Sequence, residues 1–247
     1  MARLSVNLNK IALLRNARRT GVPDIGHFAR LAHAAGAHGL TVHPRPDERH
    51  IRRDDVFALA ELMRGWRPGF ELNIEGYPDK AFLDLVSVVR PEQCTLVPDA
   101  PGVLTSEEGW RLDETQLQIV QEASKTLRSI GSRAIVFVDA EPSIAQRARD
   151  AGAHGIEIYT GHYSAAFREG RPADCLAACA AAAEEAIKLG LVVNIGHDLN
   201  LENLPALVAA APRISEASIG HELTVDALLM GWTAAITAYR EALEIKH

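Results

Sequence analysis

The stretch Phe70-Glu71-Leu72-Asn73-Ile74-Glu75-Gly76 reads as a β-strand with two unlike faces. Successive side chains of a strand point to opposite sides, so Leu72 and Ile74 share one face while Glu71, Asn73 and Glu75 share the other. The same parity recurs in three more places. Over 3–9, Leu4, Val6 and Leu8 oppose Ser5, Asn7 and Asn9. Over 39–43, Leu40 and Val42 oppose Thr41 and His43. Over 155–161, Ile156 and Ile158 oppose Glu157 and Tyr159. Strands of a parallel sheet covered by helices usually run apolar on both faces. A wet antiparallel sheet would also alternate, but helical patterns intervene between these strands. A closed parallel barrel whose interior turns polar toward the strand C-termini satisfies both observations. Amides and carboxylates buried in such numbers cost free energy unless they pair with each other or bind something.

Working outward, strands are expected over 3–9, 39–43, 70–76, 93–98, 133–139, 155–161, 192–197 and 216–221. Helical patterns lie near 24–35, 53–64, 79–88, 113–130, 141–151, 174–189 and 202–210, with a last helix from about Thr224 to 243. In the 113–130 segment, Leu117, Val120, Ala123, Leu127 and Ile130 mark one face and Asp113 suits the N-cap. Strand–helix alternation defines the α/β class. Eight such units in 247 residues match a (β/α)8 TIM barrel spanning 1–247 as one domain. A doubly wound open sheet is the rival. The segment Ala35-Gly36-Ala37-His38-Gly39-Leu40 recurs as Ala151-Gly152-Ala153-His154-Gly155-Ile156. Both copies join a helix to a strand, at strands two and six. Related half-barrels would place them so, although shared turn chemistry would produce the same match.

With 47% hydrophobic and 23% charged residues, the composition excludes disorder, collagen and coiled coil. A net charge of -6 argues against a non-specific nucleic-acid or anionic-membrane partner. Cys94, Cys175 and Cys179 show no CxxC spacing and read as reduced, buried thiols. The apolar run 175–183 is less than half a membrane span, and Met1-Ala2-Arg3-Leu4-Ser5-Val6-Asn7 has no leader-like apolar run. A cytoplasmic location is expected.

Barrel active sites sit at the C-terminal ends of the strands. There the sequence offers Asn7, Asn9 and Lys10, then His43, Arg45 and His50, Glu75, Asp139, Thr160 and Gly161, His197 and Asp198, and Gly220 and His221. Two histidines and a glutamate would suit zinc or iron, yet no HxH or HExxH spacing supports a metal. His27, His33, His38 and His154 lie on helices or turns and read as structural. Anion signals are Arg15, Arg18 and Arg19 after strand one, and Gly196 and Gly220 near the last strands. Barrels often hold phosphate there, at loops and helix N-termini, here the helix expected from Thr224.

The segments 6–12 (Val6-Asn7-Leu8-Asn9-Lys10-Ile11-Ala12), 14–18, 41–51 (Thr41-Val42-His43-Pro44-Arg45 through Ile51), 73–75, 96–98, 156–161, 193–197 and 219–221 appear in one order along nearly the whole chain. In these motifs the sequence resembles the pyridoxine 5'-phosphate synthases of vitamin B6 biosynthesis. The resemblance implies a (β/α)8 barrel with additional helices, assembled as a homo-octamer. It implies a transferase reaction condensing 1-deoxy-D-xylulose 5-phosphate with 3-amino-2-oxopropyl phosphate, releasing pyridoxine 5'-phosphate, inorganic phosphate and water, with no metal or organic cofactor. By the same resemblance His43 and Glu75 are proton acceptors and His197 the proton donor. Asn7, Arg18, Asp198, Gly220 and His221 would hold the aminoketone phosphate, and Asn9, Lys10, Arg45, His50 and Thr105 the deoxyxylulose phosphate. The sequence departs from the commonest form at Asn9-Lys10, where an Asp-His pair is frequent, at Asp198, where Gly is frequent, and at Glu222-Leu223-Thr224-Val225-Asp226.

The residues fit such chemistry without the name. Schiff-base formation, dehydration and ring closure move protons at carbon and oxygen, work for histidines and a carboxylate on separate strands. The 99–110 segment is expected to close over intermediates. An aldolase would need a Schiff-base lysine, and of Lys10, Lys80, Lys125, Lys188 and Lys246 only Lys10 is near a strand end. A barrel that binds a phosphorylated metabolite without turnover is the non-enzyme alternative.

Overall fold

A computed structural model describes residues 2–99 and 108–244. The strands are β1 (Arg3–Asn7), β2 (Gly39–Val42), β3 (Glu71–Gly76), β4 (Gln93–Leu96), β5 (Arg133–Val138), β6 (Gly155–Tyr159), β7 (Val192–Gly196) and β8 (Glu216–Ile219). The helices are α1 (Asn9–Asn16), α2 (Ile25–Ala34), α3 (Arg53–Leu62), α4 (Lys80–Val89), α5 (Glu114–Ser129), α6 (Ile144–Asp150), α7 (Gly161–Arg168), α8 (Ala173–Lys188), α9 (Leu204–Ala210), α10 (His221–Met230) and α11 (Trp232–Ala242). The strands pair in chain order, all parallel, and β8 closes onto β1. The expected (β/α)8 TIM barrel is the observed fold, and the open sheet is excluded.

Three expectations change at the strand ends. Strand one ends at Asn7, because α1 begins at Asn9, and strand six ends at Tyr159, because α7 begins at Gly161. Neither helix was expected. The last helix starts at His221, not near Thr224, and is two helices. Gly231 has φ 89° and ψ 152°, an extended left-handed conformation that only glycine adopts readily, and it breaks the run.

The apolar sets face the helices. Leu4, Val6, Leu40, Val42, Leu72, Ile74, Ile156 and Ile158 are wholly buried between strands and helices. The other parity fills the barrel. Arg3 and Arg133 both pair with Glu71 near the strand N-termini. Above them Gln93 Nε2 donates to Glu216 Oε1 at 3.0 Å. Next, Ser5 and Thr41 hydroxyls meet at 2.7 Å, and Asn73 Nδ2 reaches Thr95 Oγ1 at 3.0 Å. The polar interior is therefore largely hydrogen-bonded at the bottom and middle, although Asn194 Oδ1 has no partner among the described residues, and it opens at the top.

The repeated hexapeptide forms the same turn twice. Gly36 and Gly152 have φ 79° and 71°. Ala37 N and Ala153 N each donate five residues back, to Ala32 O and Ala148 O, both at 3.1 Å. His38 Nδ1 accepts from Leu4 N at 3.0 Å, and His154 Nδ1 accepts from Ala134 N at 3.1 Å. Both histidines are thus structural staples between an αβ turn and the preceding strand. Cys94 and Cys179 are buried and Cys175 half-buried, all as free thiols. Among the described residues no helix is long and apolar enough to cross a membrane.

Candidate active site

At the C-terminal ends of the strands lies a cavity of about 930 Å³. Asn7, Asn9, Lys10, His43, Arg45, His50, Glu75, Asp139, His197, Asp198, Gly220 and His221 all line it. Arg18 does not. It sits on the exposed turn after α1. Thr105 lies outside the described residues, as does most of the 99–110 segment. Thr160 and Gly161 lie behind the wall, with structural tasks described below.

Two elements fix the left wall. The first residue of α1 supplies Asn9, whose Oδ1 accepts from His43 N at 2.9 Å, while Asn9 N donates to Asn7 Oδ1 at 2.9 Å. The β1 end and the β2 end are therefore tied through side chains. Asn7 Nδ2 reaches Glu75 Oε2 at 3.4 Å, and His43 Nδ1 lies 3.9 Å from the same oxygen. His50 stands beside His43, ring centroids 5.8 Å apart. Its Nδ1 accepts from Ile51 N at 2.9 Å, so the neutral ring carries its proton on Nε2. Arg15 is not an anion contact. It pairs with Asp55 and donates to His50 O at 3.1 Å, bracing the loop that carries His50. Arg45, buried, pairs with Asp99 at 3.1 Å.

Across the cavity, the His197 ring sits among aromatic rings, 5.1 Å from Phe137 and 5.4 Å from Tyr159, centroid to centroid. Gly161 makes room for Tyr159, since a Cβ there would strike the phenol. Gly196 does the same for the Glu157 carboxyl. Gly220 leaves room for Asn7: a Cβ there would lie 2.9 Å from Asn7 Cβ. The α10 N-terminus begins immediately after it, with no side-chain cap, and its first residues, His221 and Glu222, line the cavity.

Burial dominates the electrostatics. It pushes Glu75 up to about 7, against the opposing pull of the Asn9 and Asn7 amides. It holds His43 well below the usual imidazole value, helped by His50 and Arg45, and lowers His50 to about 4. His197 is lowered by burial too, while Asp198 and Asp99 oppose the shift. His43 and Glu75 are thus moved toward their neutral forms together, rather than toward an ion pair. Glu157, which the sequence reading left out of the site, lies at the cavity floor. Thr95 Oγ1 donates to it at 3.2 Å, and burial beside Glu75 and Glu216 raises its pKa well above the usual carboxylate range. Its signal was the same parity that exposed Glu75. Among the described residues no three His, Cys, Asp or Glu side chains are grouped to hold a metal ion.

A family profile described as pyridoxal phosphate biosynthesis protein PdxJ matches residues 4–245. The pyridoxine 5'-phosphate synthase of Xanthomonas axonopodis pv. citri is 47% identical over 252 residues, covering 99% of this chain and 97% of that one. The pyridoxine 5'-phosphate synthase of Bacteroides thetaiotaomicron is 45% identical over 243 residues, covering 98% of this chain and 100% of that one. Among solved structures, phosphoribosyl anthranilate isomerase from Thermotoga maritima superposes with TM-score 0.59 at 12% identity, covering 98% of each chain. That likeness speaks for the barrel fold alone.

Proposed function

This chain belongs to the PdxJ family of pyridoxal phosphate biosynthesis proteins, and from that premise we propose that it is a pyridoxine 5'-phosphate synthase. It condenses 1-deoxy-D-xylulose 5-phosphate with 3-amino-2-oxopropyl phosphate by acid–base catalysis, as a transferase in the cytoplasm, and works as a homo-octamer. The observation that carries this reading is the convergence of His43, Glu75 and His197 on one cavity rimmed by Lys10, Arg45, His50 and a helix N-terminus.

His43 and Glu75 act as bases. Neutral His43 has a lone pair available at neutral pH, and Glu75, at about 7, changes protonation near the working pH. His197 is the proton donor. Burial lowers its pKa, and a phosphorylated substrate beside it favours the charged form, so substrate binding loads the donor. The aminoketone phosphate sits against Asn7, Asp198, Gly220 and His221, where the first N–H groups of α10 and the positive end of its dipole favour an anion. Arg18, the further member that the resemblance implies, lies outside the cavity on the turn after α1 and would have to reach the phosphate from there. The deoxyxylulose phosphate sits against Asn9, Lys10, Arg45 and His50, with Thr105 from the segment outside the described residues. Holding both substrates in one mouth supplies the advantage of an intramolecular reaction.

The test is incubation with both substrates, following released phosphate and identifying pyridoxine 5'-phosphate by mass spectrometry. Product is expected only with both substrates present, and activity is expected to survive exhaustive EDTA. No product from folded protein would overturn the reading. Activity lost to EDTA and restored by one divalent ion would replace the acid–base roles with a metal centre.

A further inference from the structure

His197 and Asp198 both lie in the left-handed backbone region, at φ 73° and 54°. Two consecutive non-glycine residues there are strained, and persist only where the surroundings over-determine them. The surroundings are three buried polar side chains outside the cavity. Thr160, the N-cap of α7, places Oγ1 2.5 Å from Gly196 O and 2.6 Å from His197 O. Gly196 O also accepts from Thr160 N at 3.1 Å, and the single hydroxyl proton is shared between the Gly196 and His197 carbonyls. Ser164 Oγ donates to Asp198 O at 2.8 Å. Asn203 Nδ2 donates to the same carbonyl at 3.1 Å and to Ser164 Oγ at 3.2 Å, while Asn203 Oδ1 accepts from Asn200 N at 2.9 Å. Tyr163 OH closes the set by donating to Asn203 O at 2.7 Å. Every donor of this cluster is engaged, and all of them come from the start of α7 and the N-cap of α9.

We propose that Thr160, Ser164 and Asn203 form a bracket that holds the His197–Asp198 backbone in its left-handed form, and are positioning residues for His197. The bracket fixes the carbonyls on either side of the His197 Cα, and so fixes where the ring emerges between Phe137 and Tyr159. Without it the segment relaxes toward ordinary φ, and the ring leaves its place over the cavity. The inference rests on the reading of His197 as proton donor.

The test compares kcat and KM, well below each variant's melting temperature, for Thr160→Val, Thr160→Ser and Ser164→Ala. Thr160→Val is expected to lose kcat by about 10–100-fold with KM for deoxyxylulose phosphate within about two-fold, because the contacts proposed for that substrate, at Asn9, Lys10, Arg45 and His50, lie on other strand ends. Thr160→Ser keeps the hydroxyl and is expected to restore most of kcat. Asp198→Gly serves as the background for a double-mutant cycle. Glycine reaches positive φ without strain, so Ser164→Ala is expected to cost less kcat in Asp198→Gly than in the parent. Parental kcat in folded Thr160→Val and Ser164→Ala would overturn the bracket. Failure of both to fold would overturn it as well, by assigning these residues to the fold instead of the site. His197→Gln separates the two readings. If it stays active the donor role itself falls, whereas inactive His197→Gln beside fully active bracket variants sinks only the bracket.

Discussion

At the residue scale, the site rests on placing a few polar groups where burial retunes them. Glu75 shows the logic. Its face of β3 was legible from alternation alone, since Ile74 between Asn73 and Glu75 must turn the other way. Its tuning was not legible, because the shift to about 7 comes from the cavity walls. Glu75→Gln keeps shape and burial but removes the base. Turnover is expected to fall by roughly 10²–10⁴-fold, with the melting temperature little changed, and a steady-state assay beside a thermal scan checks both. Glycine roles were least legible. Gly161 and Gly196 give room to Tyr159 and to the Glu157 carboxyl, and a Cβ at Gly220 would meet Asn7. Gly220→Val should therefore push Asn7 aside and weaken aminoketone phosphate more than deoxyxylulose phosphate, whereas Arg45→Ala should do the reverse. Calorimetry with each substrate separately reads the difference, and equal weakening in both variants would sink the two-subsite assignment.

At the scale of elements, four strands are readable from period two and the other four as short β-like runs between helical patterns, and the differences cluster where strands run into helices. The Asn7-Leu8-Asn9 alternation continues across the junction, so the strand pattern runs on into what is the first turn of α1. The same happened at Thr160-Gly161 and at Gly220-His221. These are the places where helix N-termini meet the cavity, and there polar residues serve the site rather than the strand. The Ala-Gly-Ala-His-Gly turns, by contrast, were readable and repeat bond for bond. Each histidine accepts from a strand N–H only while neutral, and burial lowers both pKa values below 6.5. The sign follows. The unfolded chain takes up these protons first, so the staples contribute fully above pH 6.5 and are lost as pH falls through the lower folded-state values. His38→Ala and His154→Ala are each expected to cost about 1–2 kcal/mol at pH 7.5. They should add nearly independently from opposite sides of the barrel, and the deficit should shrink by pH 5. Denaturant midpoints at the two pH values measure this. A deficit unchanged at pH 5 would show that the imidazole acceptors are not what the turns depend on.

At the scale of the molecule, the barrel has an apolar face that the described residues do not cover. On α10, Leu228 and Leu229 are 78% and 85% exposed, with Val225 and Met230 beside them, and α1, which packs next to α10, exposes Leu13 and Leu14. Leu223 is the one buried side chain of α10, so this helix is apolar where it touches water. Contiguous apolar surface of this kind marks an interface, and the proposed homo-octamer supplies a cover for it. Burying a leucine fully contributes about 1.5–3 kcal/mol, so charges at two such positions should outweigh the contact. Leu228→Asp combined with Leu229→Asp is expected to lower the mass measured by light scattering below that of eight chains, while the circular dichroism of the barrel is kept. The consequence reaches the chemistry, because α10 begins at His221 on the cavity rim. A helix released from its neighbour holds its first N–H groups less firmly, so the dissociated variant should show a raised KM for the aminoketone phosphate with a smaller change for deoxyxylulose phosphate. A variant that still weighs eight chains, or a parent that is monomeric at working concentration, would remove this face from the assembly.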